Sequence, residues 1–204
     1  MKRDQSRVVG LNDLGQLTLR GNVAFAVRCA LRMRPCFELP ADAPRRREQI
    51  AAIDSAIRIA DAFCRGLSLE DGRAALAAQR AGMVAEETYE STNFAGFAAV
   101  RAAEAAAHAE AAVRNPSESS LIEVVAAAFG AGRVVAANSD AFTLDLVAAA
   151  LYADMQKLLT MAQGACGSLG PEVDPSESGP LGPLWPDGTP AWCARESPEP
   201  SPKE

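Results

Sequence analysis

Residues 1–163 predict an all-α fold: a compact bundle of about six helices, followed over residues 164–204 by a Pro-rich, mostly irregular tail. Three observations carry that expectation. About a fifth of the 204 residues are alanine, the best helix former and a poor strand former. Apolar residues recur at spacings of three and four in long stretches, and no strand pattern exceeds four residues. Nine of the 13 prolines lie beyond Gly164, where Pro, Gly, Ser and Glu replace the alanine-rich pattern.

The first helix is expected over Gln16 to Arg34, with Leu19, Val23, Ala26, Val27, Ala30 and Leu31 as its apolar stripe, ended by Pro35 and Pro40. A second opens near Pro44. Ile50, Ile53, Ile57, Ala60 and Cys64 form its buried side, and Asp54, Arg58, Asp61 and Arg65 a solvated ladder opposite. Gly66 suits its C′ position. Ser68 and Asp71 resemble a capping box for a third helix, in which Leu69, Leu76 and Met83 are the larger apolar residues. A break at Ser91-Thr92-Asn93 precedes a fourth helix over Phe94 to Arg114, closed by Asn115-Pro116. Ser117 caps a fifth, with Leu121, Val124, Val125, Ala128 and Phe129 on its stripe and Gly130 and Gly132 near its middle. Asn138-Ser139 reads as a stop and a new cap. The sixth helix carries Leu144, Val147, Ala148, Leu151, Met155 and Leu158 and ends at Gly164. Short links imply antiparallel neighbours.

Charge and cysteine usage bound the function. The net charge is −6, which disfavours non-specific nucleic-acid binding. Its distribution is uneven: residues 1–65 hold 12 Lys/Arg against 7 Asp/Glu, and the remainder is acidic. The five cysteines are widely spaced without a C-x-x-C, which argues against a disulfide framework or a zinc site. Cys29 and Cys64 fall on apolar helix positions. The start is polar, and the apolar run Leu121 to Ala137 reads as too short and too interrupted for a bilayer span. A cytoplasmic location without membrane contact is expected.

No catalytic motif and no cofactor signature occurs, so no catalytic residue and no cofactor is assigned. Gly130-Ala131-Gly132 lacks both the third glycine and the sheet of a dinucleotide loop. His108, the sole histidine, shares a helix face with Glu104; a metal would need further ligands, and a metal binder or enzyme centred on this pair is the alternative to a binding protein. Arg28, Arg32, Arg45, Arg46 and Arg47 are candidates for a partner surface, or for an anion- or nucleic-acid-binding one. Arg45 to Arg47 stand out because they open a helix, where the dipole disfavours cations. In the tail, Leu181, Leu184, Trp185 and Trp192 are candidates for docking residues 181–193 on the bundle. Pro180, Pro183 and Pro186 would share one polyproline edge, and Pro186-Asp187-Gly188-Thr189 reads as a turn. Residues 194–204 have a disordered composition.

Three segments carry a family likeness: Val23-Ala24-Phe25-Ala26-Val27-Arg28-Cys29-Ala30 with Arg32; Ala51-Ala52-Ile53-Asp54-Ser55-Ala56 with Arg65-Gly66; and Arg101 through Ala109, with Glu104, His108 and Ala112. Over about half the chain this order resembles one of the all-helical immunity-protein families of bacterial polymorphic toxin systems. The resemblance implies a protein partner, with the chain binding and neutralising a cognate toxin without catalysis. The tail lies outside it.

Overall fold

A computed structural model describes residues 9–68, 70–88, 94–139, 143–162, 166–190 and 192. Among these residues seven α-helices follow in order: α1 (Leu11–Leu14), α2 (Leu19–Met33), α3 (Arg46–Cys64), α4 (Arg73–Glu87), α5 (Phe94–Arg114), α6 (Glu118–Ala137) and α7 (Leu144–Met161). A 3₁₀ turn, Arg34–Cys36, follows α2. No strand occurs among the described residues. The short α1 is the helix that periodicity does not detect, as four residues carry too little of a pattern.

The bundle is built around α5, which packs against α2, α3, α4 and α6. Its buried face is almost wholly alanine, with Ala98, Ala99, Ala102, Ala103, Ala105, Ala106 and Ala109 at zero exposure. Such a helix is thin, so four neighbours approach it closely, but each contact removes little apolar area from water. Larger side chains come from its neighbours: Val23, Phe25, Val27 and Met33 of α2, and Ile53 of α3. Across α2 lies α7, which touches α2 and α6 and buries Val147, Leu151, Met155 and Leu158.

Several boundaries differ from the expectation, each for a local reason. Thr18 caps α2 by accepting the Gly21 N–H at 3.1 Å, so α2 starts after Gln16. The Ser68–Asp71 box does not form; Gly72, in the left-handed region at φ 74°, opens α4 instead. Leu76 and Met83 of α4 are not core residues: they are 45% and 52% exposed, and Ala74, Ala77, Ala78, Ala81, Val84 and Ala85 form its buried face. Ser139 does not cap α7, since its hydroxyl donates back to the Val135 carbonyl; Thr143 takes the N-cap position. Leu144 is exposed. Gly66 does occupy a left-handed position after α3, at φ 70°. Leu69, the Ser91-Thr92-Asn93 break, Gly164, Cys193 and residues 194–204 lie outside the described residues.

α6 runs unbroken through both of its glycines. It starts at Glu118 rather than Leu121, so it has 20 residues with a mean hydropathy of 1.6. By length and composition that is enough to cross a bilayer, which corrects the expectation for this run. Only a third of that apolar stretch is buried in the bundle, and Ile122 is 60% exposed. Gly132 is where α6 meets α2: a Cβ there would lie 3.3 Å from the Phe25 ring. Gly82 of α4, by contrast, has no neighbour within 4 Å of such a Cβ.

These two glycines give opposite expectations in one host. Gly132→Val overpacks the α2–α6 crossing and should cost about 1–3 kcal/mol. Gly82→Ala restores helix propensity in open space and should add about 0.5–1 kcal/mol. Urea midpoints at unchanged slope measure both, and a neutral Gly132→Val would contradict the close crossing.

Candidate functional site

The five arginines that stand out in the sequence are divided by the structure. Arg28 and Arg32, one turn apart on α2, have no exposed surface, which overturns their assignment to a partner surface. Both reach the carboxylate of Asp154 on α7, itself buried. Arg28 binds it with two parallel bonds, Nε to Oδ2 at 3.0 Å and Nη2 to Oδ1 at 2.9 Å. Arg32 pairs with it through Nη1 at 2.7 Å.

The remaining donors of this pair are met by the tail. Residues 166–190 run as an irregular strap along α2, from its N-terminus to its C-terminus. The Leu19 N–H bonds the Ser168 carbonyl at 2.8 Å and the Arg20 N–H that of Leu169 at 3.1 Å. Val173 N–H caps α3 at the Cys64 carbonyl, and Asp174 pairs with Arg65 at 2.6 Å. Arg28 then donates to the carbonyls of Gly182 at 2.7 Å and Pro183 at 2.8 Å, and Arg32 to that of Leu184 at 2.9 Å. The Arg32 guanidinium lies 5.3 Å from the Trp185 ring centroid, and Trp192 meets Trp185 edge-on at 5.7 Å.

A Pro-rich strap has carbonyls without N–H partners, and two buried guanidiniums have donors without acceptors, so each satisfies the other. Leu181 is fully buried, Trp185 nearly so, and Leu184 and Trp192 are half-buried. Trp192 Nε1 donates to Thr143 at 3.3 Å. Pro180, Pro183 and Pro186 all face solvent, and a turn closes with Gly188 N–H on the Trp185 carbonyl.

Arg46 turns back to the Leu39 carbonyl at 3.1 Å, and Arg47 is exposed. Arg45 alone of the five opens onto a cleft. It caps α3 in the left-handed region at φ 60° and binds Glu48 at 3.0 Å and Glu87 at 3.6 Å. The cleft, about 730 Å³, lies between α3 and α4. The two helices are antiparallel, since Gln49 at the start of α3 donates to Glu87 at the end of α4 at 3.0 Å. Its rim carries Arg58 of α3 and Arg73 and Arg80 of α4, all exposed and none within ion-pair distance of a carboxylate among the described residues. Leu76 and Met83 alternate with Arg73 and Arg80 along the same face, and Ala51, Ala52 and Ala77 give the floor.

Sequence inspection misses this site. Spacing puts Arg58 on a ladder with Asp54 and Asp61, but Asp54 is taken by Arg34 and Asp61 by Arg65. The outward Leu76 and Met83 are the available signal, since two large apolar residues seven apart on an otherwise alanine-lined helix mark one face.

Glu104 and His108 line a different cleft, between α4 and α5, and turn to different partners. Glu104 binds Arg101 at 2.7 Å and His108 Nδ1 lies 3.2 Å from Glu123 on α6. No group of three His, Cys, Asp or Glu capable of holding a metal occurs among the described residues. Burial pushes the Cys29 thiol up to about 12 and that of Cys64 well above its ordinary value, so neither forms a thiolate nucleophile near neutral pH. Gly130 and Gly132 sit inside α6 and form no phosphate loop. Compared with known protein families, curated proteins and solved structures, the chain matches none.

The buried cluster predicts its own test. Asp154→Ala leaves two guanidiniums uncompensated and should cost about 3–5 kcal/mol of stability. The strap should loosen with it, moving tryptophan emission towards the red. A loss below about 1 kcal/mol, within the range of an ordinary surface ion pair, would show that the cluster does not hold the strap.

Proposed function

We propose that this chain is a non-enzymatic helical domain that acts by binding another protein, with neutralisation of a toxin as the most specific form of that role. The observation that carries it is the α3/α4 cleft: three arginines without carboxylate partners among the described residues, beside two exposed apolar side chains. Unpaired cations on a rim steer and select a partner of opposite charge. Exposed Leu76 and Met83 supply the apolar contact that charge alone does not. The toxin-neutralising form adds the family likeness of residues 20–114. A protein that blocks a toxin needs a complementary surface and no reacting group, in keeping with the protonated thiols and the engaged His108. Action in the cytosol is proposed with it, supported by Cys29, Cys36, Cys64 and Cys166 being free thiols.

The test is co-expression with toxins encoded beside the gene, read as host survival and as binding of the purified pair. Survival is expected to be restored by the chain, and Arg58→Glu/Arg80→Glu should weaken binding by at least about tenfold, because two attractive contacts become repulsive. Both residues are exposed, so helix content and stability should hold. The absence of a neighbouring toxin, or protection with no binding, would sink the toxin-neutralising role.

A further inference from the structure

We infer that the α3/α4 cleft seats an amphipathic helix of the partner protein, one that carries carboxylates beside an apolar stripe towards one of its ends. This rests on the protein-binding role proposed above and adds the chemistry of the occupant.

The walls of the cleft decide between a helix and an extended chain. Both walls are α-helices, whose backbone N–H and C=O groups are bonded along their own axes. The cleft therefore offers no strand edge. An extended segment laid in it would bring unpaired backbone groups into an apolar trough, whereas a helix arrives with its backbone already satisfied. Length agrees: the 15 residues of α4 make a wall of roughly 22 Å, about four turns of a docked helix.

The side chains decide what the helix carries. The alanine floor lets it sit deep. Leu76 and Met83 stand about two turns apart on the wall, matching apolar anchors at i, i+3, i+4 and i+7, and Met adapts to uneven partners. Arg58, Arg73 and Arg80 face the cleft without carboxylate partners among the described residues, so they call for carboxylates on the incoming helix.

Charge also sets direction. At the opposite end Arg45 is held between Glu48 and Glu87, so that end is slightly acidic and repels further carboxylates. The carboxylates must therefore gather at the Arg58/Arg73/Arg80 end. The same two glutamates disfavour a continuous phosphate backbone. No aromatic side chain among the described residues lines the cleft to stack a base, so nucleic acid fits less well than a protein helix.

A synthetic helical peptide of about 18 residues tests this, with leucines on one stripe and glutamates flanking it in one half. It is titrated by fluorescence anisotropy into the full chain, beside a shuffled peptide of identical composition without a stripe, and single-stranded DNA of similar length. The patterned peptide should bind at least about tenfold tighter than either. Its affinity should fall at least about tenfold in Arg58→Glu/Arg80→Glu and several-fold in Leu76→Ser/Met83→Ser. Equal binding of the shuffled peptide or the DNA, no binding, or indifference to both variants overturns the inference. A toxin screen that fails while the peptide binds as described removes the toxin-neutralising role and leaves the occupant's chemistry standing. A toxin bound without regard to the cleft variants, with the peptide ignored, removes the occupant alone.

Discussion

The buried contact of Arg28 and Arg32 with Asp154 is the constraint on which the rest of the molecule depends. Two cations and one anion without solvent are costly unless their hydrogen-bonding groups are met. The carboxylate meets part of the demand, and carbonyls of the strap meet much of the rest. The strap is thereby a structural component of the bundle, although it has no regular structure of its own. Apolar burial of Leu181 and Trp185 adds to this, but burial is non-directional and does not select a register along α2. The guanidinium forks do, because their donors point at particular carbonyls. The same cluster ties α7, which touches only part of the bundle, to the central α2.

The second constraint is the alanine of α5. A central helix with a bare surface cannot bury much area per contact, so the chain must bring many neighbours close. The α2–α6 crossing, with Gly132 against Phe25, is equally tight. Close approach leaves little room for large side chains on inner faces, so α4 is alanine-lined inside and carries Leu76 and Met83 outside. α6 likewise shows Ile122 to solvent. The apolar surface of this protein is thus a consequence of how its centre is built. That makes the charges around each exposed residue the informative feature. Ile122 stands on an apolar face, whereas Leu76 and Met83 stand among unpaired arginines.

Much of the helical framework is legible in the sequence. Phe94 to Arg114 coincides with α5, because Pro116 and a long alanine run leave no competing choice. Ser117 caps α6 as its position suggests. The assignment of charge is what fails. Arg28 and Arg32 are arginines in a helix that is buried on nearly all sides, and nothing local distinguishes a buried arginine from an exposed one. Two distant signals do exist: Asp154 is the one charge within the apolar stripe of α7, and Trp185 lies in a proline-rich stretch. They become meaningful only when the fold brings residues more than a hundred positions apart together. The Ser68–Asp71 pair shows the converse, since a plausible local cap loses to Gly72 because only glycine enters the left-handed region without strain.

The two clusters of arginine therefore divide the molecule by role. One set is spent on holding α2, α7 and the strap, and it is sealed from water. The other lies on α3 and α4, a layer that reaches the rest of the bundle largely through α5 and, for α3, α2. Its arginines contact no carboxylate that the fold requires, so changing them should leave the packing untouched. A surface that can vary without cost to the core is what selection for a changing partner would favour. A surface built on Arg28 or Arg32 could not vary in that way, because each substitution there would disturb a buried charge. The physical separation of the two clusters is what allows one face of an alanine-rich bundle to be specific while its interior stays fixed.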